Sequence, residues 1–143
     1  MNKPGEIRVI VLALIKDGER IFVSEGYDPT KQLTFYRALG GGIEFGETSR
    51  MALAREFQEE IQAELTNISY LGCIENLFIF DGNQGHEIIQ LYQCDFADPK
   101  FYQIESLTFS ETPQKKHRAL WVEISKFKSG ELKLVPQIFF DHL

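Results

Sequence analysis

Three glutamates, Glu56, Glu59 and Glu60, stand at positions i, i+3 and i+4. At about 3.6 residues per turn, a helix through them carries all three carboxylates on one face. Arg55 borders that face, while Ala54, Phe57 and Ile61 fall on another side that can be buried. Like charges four residues apart destabilise a helix by about 0.2–0.5 kcal/mol per pair, so stability gives no reason to gather them. A hard divalent cation does. Mg²⁺ prefers oxygen ligands, uses a few carboxylates and keeps its remaining positions for water and phosphate oxygens. Such an ion polarises a phosphoryl oxygen, acidifies an attacking water and holds nucleophile and leaving group in line. Gly40-Gly41-Gly42, shortly before the helix, lets backbone and phosphates approach closely. The plain alternative is an acidic face that merely meets solvent.

The wider spacing decides between these readings. Gly41 is followed after five residues by Glu47, after seven more by Arg55-Glu56, then by Phe57, Gln58, Glu59-Glu60, Ile61, Gln62 and Ala63. This run resembles the Nudix box, the Gly, Glu, Arg-Glu, apolar, Glu-Glu signature of the Nudix hydrolases. The resemblance implies an α/β (α+β) fold, an α/β/α sandwich with a mixed central sheet. It implies attack of water on one phosphorus of a nucleoside diphosphate linked to another group, with rupture of the pyrophosphate bond. Glu56, Glu59 and Glu60 become the expected Mg²⁺ or Mn²⁺ ligands, aided by a backbone carbonyl at Gly40 or Gly41. Arg55 is expected to orient them and Glu47 to brace Arg55. The general base varies within the family, which leaves Glu56, Glu87 and Glu111 as candidates. One position departs from the signature: Gln62 stands where the family has glycine. A non-glycine residue there either lets the helix run on or accepts a left-handed backbone at a cost of about 1 kcal/mol.

Outside the box the sequence is less specific. Arg37, just before the glycines, and Arg8, on the first strand, are candidates to contact substrate, set against a surface ion pair for each. Tyr36, Phe45, Phe78 and Phe80 are candidate stacking groups for a base, although aromatic residues in strands belong to cores more often. His86, beside Glu87, is a weaker candidate. Cys73 and Cys94 are expected to be buried and inert, and Trp121 to be a core or interface residue.

These groups must be positioned by a fold of modest size. The 143 residues, 43% of them hydrophobic, suit one domain with a closed core. A formal charge of −6 argues against nucleic-acid polymers and anionic membranes as partners, since both are bound by clustered Lys and Arg. A small anionic substrate then needs a bound cation to reverse the repulsion. Met1 to Glu6 lacks the layout of a signal peptide, no apolar run approaches a membrane span, and two cysteines are too few for a disulfide framework. A cytoplasmic protein is expected, and the resemblance admits a homodimer.

The apolar runs Ile7 to Ile15 and Ile21 to Val23 flank Asp17-Gly18 and read as a hairpin. Tyr27 to Gln32 reads as a loop and Thr34 to Leu39 as a short strand. A helix is predicted from a cap at Thr48 or Ser49 to Gln62. Beyond it, Leu65 to Phe80, with a break near Gly72, and Glu87 to Phe96 read as paired strands around a turn at Asp81 to Gly85. Pro99 to Lys116 shows little pattern, Ala119 to Ile124 reads as a last strand, and Ile124 to Lys128 and Pro136 to His142 as short helices. Two functions fit: a metal-dependent pyrophosphohydrolase, with a nucleoside triphosphate, an oxidised one included, favoured over ADP-ribose, a nucleotide sugar or a dinucleoside polyphosphate, and a non-catalytic nucleotide-sensing module. Intact box carboxylates favour the first.

Overall fold

The computed structural model describes residues 5–143, the side chains of Glu111 and Thr112 excepted. Two sheets meet along the strands that carry the box. In the first, β1 (Arg8–Leu14) lies between β5 (Leu39–Gly42), which runs antiparallel to it, and β7 (Asn83–Phe96), which runs parallel; β6 (Leu65–Phe80) closes the far edge antiparallel to β7. The second is antiparallel, with β2 (Lys16–Asp17), β3 (Arg20–Asp28), β9 (Lys115–Glu123) and β8 (Ser106–Thr112) in that order and β4 (Leu33–Arg37) also paired to β3. The chain passes from the second sheet to the first at Ala38, between β4 and β5. That crossing sets Arg37 and Gly41 on neighbouring elements of one cavity.

A strand with a parallel neighbour is ordinarily covered on both faces, and β1 obeys. Val11 and Ala13 join the core beneath α1 (Ser49–Ile61), together with Leu53, Phe57, Ile61, Phe22, Phe96 and Trp121. Ile10, Leu12 and Leu14 face the opposite core, capped by Phe127 of α2 (Ile124–Lys128) and Phe139 of the C-terminal 3₁₀ turn. Helices thus cover both sides of a mixed sheet system, as the sandwich expectation requires. Ala54 is exposed, contrary to the expected burial. The inward row is Leu53, Phe57 and Ile61 at four-residue steps, with Ala52 beside it, and Ala54 lies off that row.

Several boundaries differ from the sequence reading. The patternless stretch holds β8, whose Leu107 and Phe109 turn toward the first core while Ser106, Thr108 and Ser110 lower its apparent hydrophobicity. β9 begins at Lys115 and β7 at Asn83, so the turn between β6 and β7 shrinks to Asp81-Gly82. The break near Gly72 is a pair of register shifts within one continuous strand. The loop after Tyr27 is shorter than expected, because β3 runs on to Asp28. There the buried carboxylate accepts from the backbone N–H groups of Thr30 (3.0 Å) and Lys31 (3.2 Å) and fixes the turn. No helix of the described residues is long and apolar enough to cross a membrane.

Candidate active site

The helix that carries the glutamates starts where its cap dictates: Thr48 is extended, and its side-chain oxygen accepts from the Met51 N–H at 3.2 Å. It ends at Gln62, in the left-handed conformation with φ 51° and ψ 44°. The Gln62 N–H reaches the Gln58 carbonyl and the Ala63 N–H the Phe57 carbonyl, both at 3.1 Å. The first of these, from the left-handed C′ residue to the C3 carbonyl, is the αL closure, so the helix ends in a left-handed turn without a glycine. The strain alternative therefore holds, and the helix does not run on.

Arg55 is the hub of the site. Its Nε donates to Glu47 Oε2 at 2.7 Å, and its Nη2 donates to Glu47 Oε1 and to the Gly42 carbonyl, both at 2.9 Å. On its other side Nη1 donates to Glu56 Oε1 at 3.1 Å and to Glu59 Oε2 at 3.3 Å. One guanidinium thus ties the loop, the glycine strand and the carboxylate helix together. The Glu47 carboxyl is held below its ordinary value, first by the Arg55 hydrogen bonds and then by the Glu44 N–H. Arg55 is held protonated, chiefly by Glu47. Gly41 faces Glu56 so closely that a Cβ added to it would stand on the Glu56 carboxylate.

Glu56, Glu59 and Glu60 all line a cavity of about 460 Å³ with Gly40, Gly41 and Arg55. Glu56 is mostly enclosed (14% exposed) and Glu59 open (62%). Among the described residues no three acidic, His or Cys side chains stand close enough together to encircle an ion. Arg55 bonds two of the three carboxylates, Glu56 and Glu59, and so offsets their mutual repulsion. The donor set nevertheless fits a hard divalent ion: it is all oxygen, it lies on one helix face, and opposite Glu56 is a glycine whose missing side chain leaves the approach open.

The cavity is also lined by Arg8, Ser24, Arg37, Phe109, Ser110 and His117, drawn from both sheets. Both arginines predicted to meet substrate therefore line the cavity. Arg8 carries no ion pair among the described residues, whereas Arg37 donates from Nη2 to Glu87 Oε1 at 3.0 Å. The pair is not the surface bridge of the alternative reading, since the Glu87 side chain is 3% exposed and Arg37 23%. Arg37 Nε is buried with no partner, a state that costs about 1–3 kcal/mol.

Glu87 is a poor candidate for the base, because its Oε1 also receives Asn76 Nδ2 at 3.4 Å and it does not line the cavity. The side chain of Glu111 lies outside the described residues. Glu56 remains as the enclosed carboxylate facing the cavity.

None of the four aromatic candidates lines the cavity. Tyr36 is in the core and donates to Glu25 Oε2 at 3.2 Å, Phe80 meets Phe35 edge-on, Phe78 lies over Gly85, and Phe45 is fully exposed. His86 does not line it either. The aromatic residue that does is Phe109, whose ring lies 5.4 Å from that of His117 at 32°. Its alternation with Leu107 was the available signal. Trp121 is a core residue, its Nε1 donating to the Phe101 carbonyl at 2.8 Å. Cys94 is buried as expected, but Cys73, on the outer strand β6, is exposed.

The model of the NUDIX domain matches residues 6–141, nearly the whole chain. The chain belongs to the Nudix family. Solved structures agree on the fold. A NUDIX hydrolase from Nitrosomonas europaea superposes with a TM-score of 0.61 at 19% identity, covering 97% of this chain and 85% of that one. A MutT NUDIX hydrolase from Burkholderia pseudomallei gives 0.56 at 20% identity, over 84% and 85% of the two chains. The E. coli ORF135 protein gives 0.52 at 21%, over 92% and 82%. As a Nudix hydrolase the protein is a pyrophosphohydrolase of small nucleotide substrates. Divalent metals are general in the family.

Proposed function

We propose that this Nudix hydrolase uses Mg²⁺, or Mn²⁺ in its place, to cleave a pyrophosphate bond in a nucleoside diphosphate derivative, with a nucleoside triphosphate as the favoured substrate. The observation that carries the reading is the Arg55 hub, which holds Glu47 on one side and, on the other, Glu56 and Glu59, with which it lines one cavity.

Glu56, Glu59 and Glu60 would hold the cation with a carbonyl of Gly40 or Gly41. When bound, the ion supplies Lewis-acid polarisation of a phosphoryl oxygen and acidifies a water. Arg55 fixes the direction of Glu56 and Glu59, and Glu47 fixes Arg55. Glu56 is the group assigned to accept the proton of the attacking water, being enclosed and aimed at the glycine strand. Arg8, unpaired among the described residues and lining the cavity, offers a cation to the phosphates.

The test is a panel of nucleoside triphosphates, ADP-ribose and nucleotide sugars incubated with Mg²⁺, with product release measured for the wild type, Glu59→Gln and Glu60→Gln. Cleavage of the triphosphates, lost in both variants, is expected. No cleavage of any compound, or variants as active as the wild type, would refute the assignment. The reading also includes a cytoplasmic location, one folding unit and a capacity to pair two copies. Cell fractionation, a single unfolding transition and sedimentation mass test these in turn.

A further inference from the structure

Besides Arg55 and Arg8, the cavity lining holds the Arg37 guanidinium, most of whose donors are uncommitted. Of the five N–H groups an arginine carries, Arg37 gives one to Glu87, and no other protein acceptor meets it among the described residues. Glu87 is itself held from the side by Asn76. A buried carboxylate thus cancels the charge of Arg37 and fixes its plane, while the side chain still borders the cavity. What the pair offers a ligand is direction more than net charge. Phosphate is better served by Arg8 and the cation.

Arg37 and Gly41 are four residues apart, at most about 13 Å at 3.3 Å per residue, a reach that lets one nucleotide place a phosphate near Gly41 and its base near Arg37. Phe109, ring to ring with His117, also lines the cavity, but as part of the core beneath α1.

Building on the triphosphate reading above, we infer that Arg37, positioned by Glu87, reads the nucleobase, and that it selects an edge with two adjacent hydrogen-bond acceptors. A guanidinium can only donate. Guanine offers O6 beside N7, and cytosine offers O2 beside N3. Adenine sets its amino group next to N7 and N1, and uracil sets an N–H between its two oxygens, so neither presents such a pair. A guanine oxidised at C8 carries a proton on N7 and loses the pair as well. The Arg37 device therefore turns against an oxidised guanine, whatever the chemistry at the box.

The experiment compares kcat/KM for GTP, CTP, ATP and UTP with Mg²⁺. At least one of GTP and CTP is expected to lead both ATP and UTP by about tenfold or more, the discrimination of one good bidentate contact. If GTP leads, 7-deaza-GTP and 8-oxo-GTP fall to the level of ATP; if CTP leads, 3-deaza-CTP falls likewise. The double variant Arg37→Gln, Glu87→Gln removes both charges, so that neither is left buried alone; it is expected to erase the preference. Glu87→Gln alone is expected to raise KM for the preferred base more than it lowers kcat, which a purely structural role would not produce. ATP or UTP handled as well as both others, or a preference that survives the double variant, overturns the inference. Calorimetric binding of the same nucleotides with Ca²⁺ gives their order even where no bond is cleaved, so the base-reading and hydrolase assignments fail separately.

Discussion

Arg55 grips Glu47 with two parallel hydrogen bonds, Nε to Oε2 at 2.7 Å and Nη2 to Oε1 at 2.9 Å, from a position eight residues further along the chain. The pair spans the loop before the helix and the helix itself, and only the Nη1 edge is left to reach Glu56 and Glu59. Loosening Glu47 therefore releases the guanidinium that aims two expected metal ligands. Glu47→Gln is expected to lower metal affinity or kcat/KM by about 10–100-fold, the usual weight of partners one step removed from a metal. The pH dependence has a definite sign. Arg55 holds the Glu47 carboxyl below its ordinary value of 4.5, so the pairing contributes stability that is complete above pH 4.5 and is lost as the pH falls through the lowered value. Urea unfolding at successively lower pH should show the wild-type advantage over Glu47→Gln shrinking below 4.5. An advantage unchanged down to pH 3 would show that the pair does not act in this way.

Gly41 offers a cleaner perturbation of Glu56 than truncating Glu56 itself. A methyl group at Gly41 would occupy the place of the Glu56 carboxylate, and the obstacle is the end of a flexible side chain, which can swing away. Gly41 does not adopt a positive φ, so alanine is tolerated by its backbone. Gly41→Ala is expected to fold with a wild-type melting temperature while losing at least about tenfold in metal-dependent hydrolysis. Gly40 is the control, because there a side chain would strike the Val11 carbonyl at a φ of 155°. Gly40→Ala should lose stability first. Equal thermal loss in both variants would contradict this separation.

The half of the site that lies on one helix and its approach was legible in the residues, because helical spacing converts i, i+3 and i+4 into a shared face without any tertiary information. The other half was legible only in part: Arg8 and Arg37 stood out as substrate contacts and both line the cavity, but the contact between Arg37 and Glu87 joins residues 50 apart and neither residue pointed to the other. Phe109 sat in a stretch whose serines and threonines concealed its two-residue alternation. Of the aromatic candidates, Tyr36 on β4 lies in the core, Phe78 and Phe80 on β6 pack on Gly85 and Phe35, and Phe45 faces solvent. Strand order and the crossing at Ala38, which bring β4, β5 and β8 to one cavity, depend on pairings far apart in the chain.

Gln62 gives a test of the helix terminus that leaves the chemistry aside. Its φ of 51° places a side chain in the left-handed region, at about 1–2 kcal/mol. Glycine would relieve that strain but lose about 0.5–1 kcal/mol in unfolded-state freedom. Gln62→Gly is therefore expected to gain up to about 1.5 kcal/mol in unfolding free energy by chemical denaturation. The expected ligands lie at earlier positions on the helix, so hydrolysis should persist. A loss of stability would mean that the Gln62 side chain makes a contribution larger than the strain it causes.

The two cysteines differ enough to be told apart chemically. Burial, with a smaller contribution from the Asp95 charge, pushes the Cys94 thiol up to about 12, and the side chain is sealed in the core beneath α1. Cys73 is exposed on β6, at the edge of the first sheet. Since the thiolate is the reacting species, a disulfide reagent at pH 8 is expected to modify one thiol rapidly in the native protein and two in denaturant. Cys73→Ser should abolish the rapid phase and leave the slow one, whose rate then reports opening of the α1 core. Two rapid phases would show that the core admits the reagent, and a rapid phase that persists in Cys73→Ser would place the reactive thiol at Cys94.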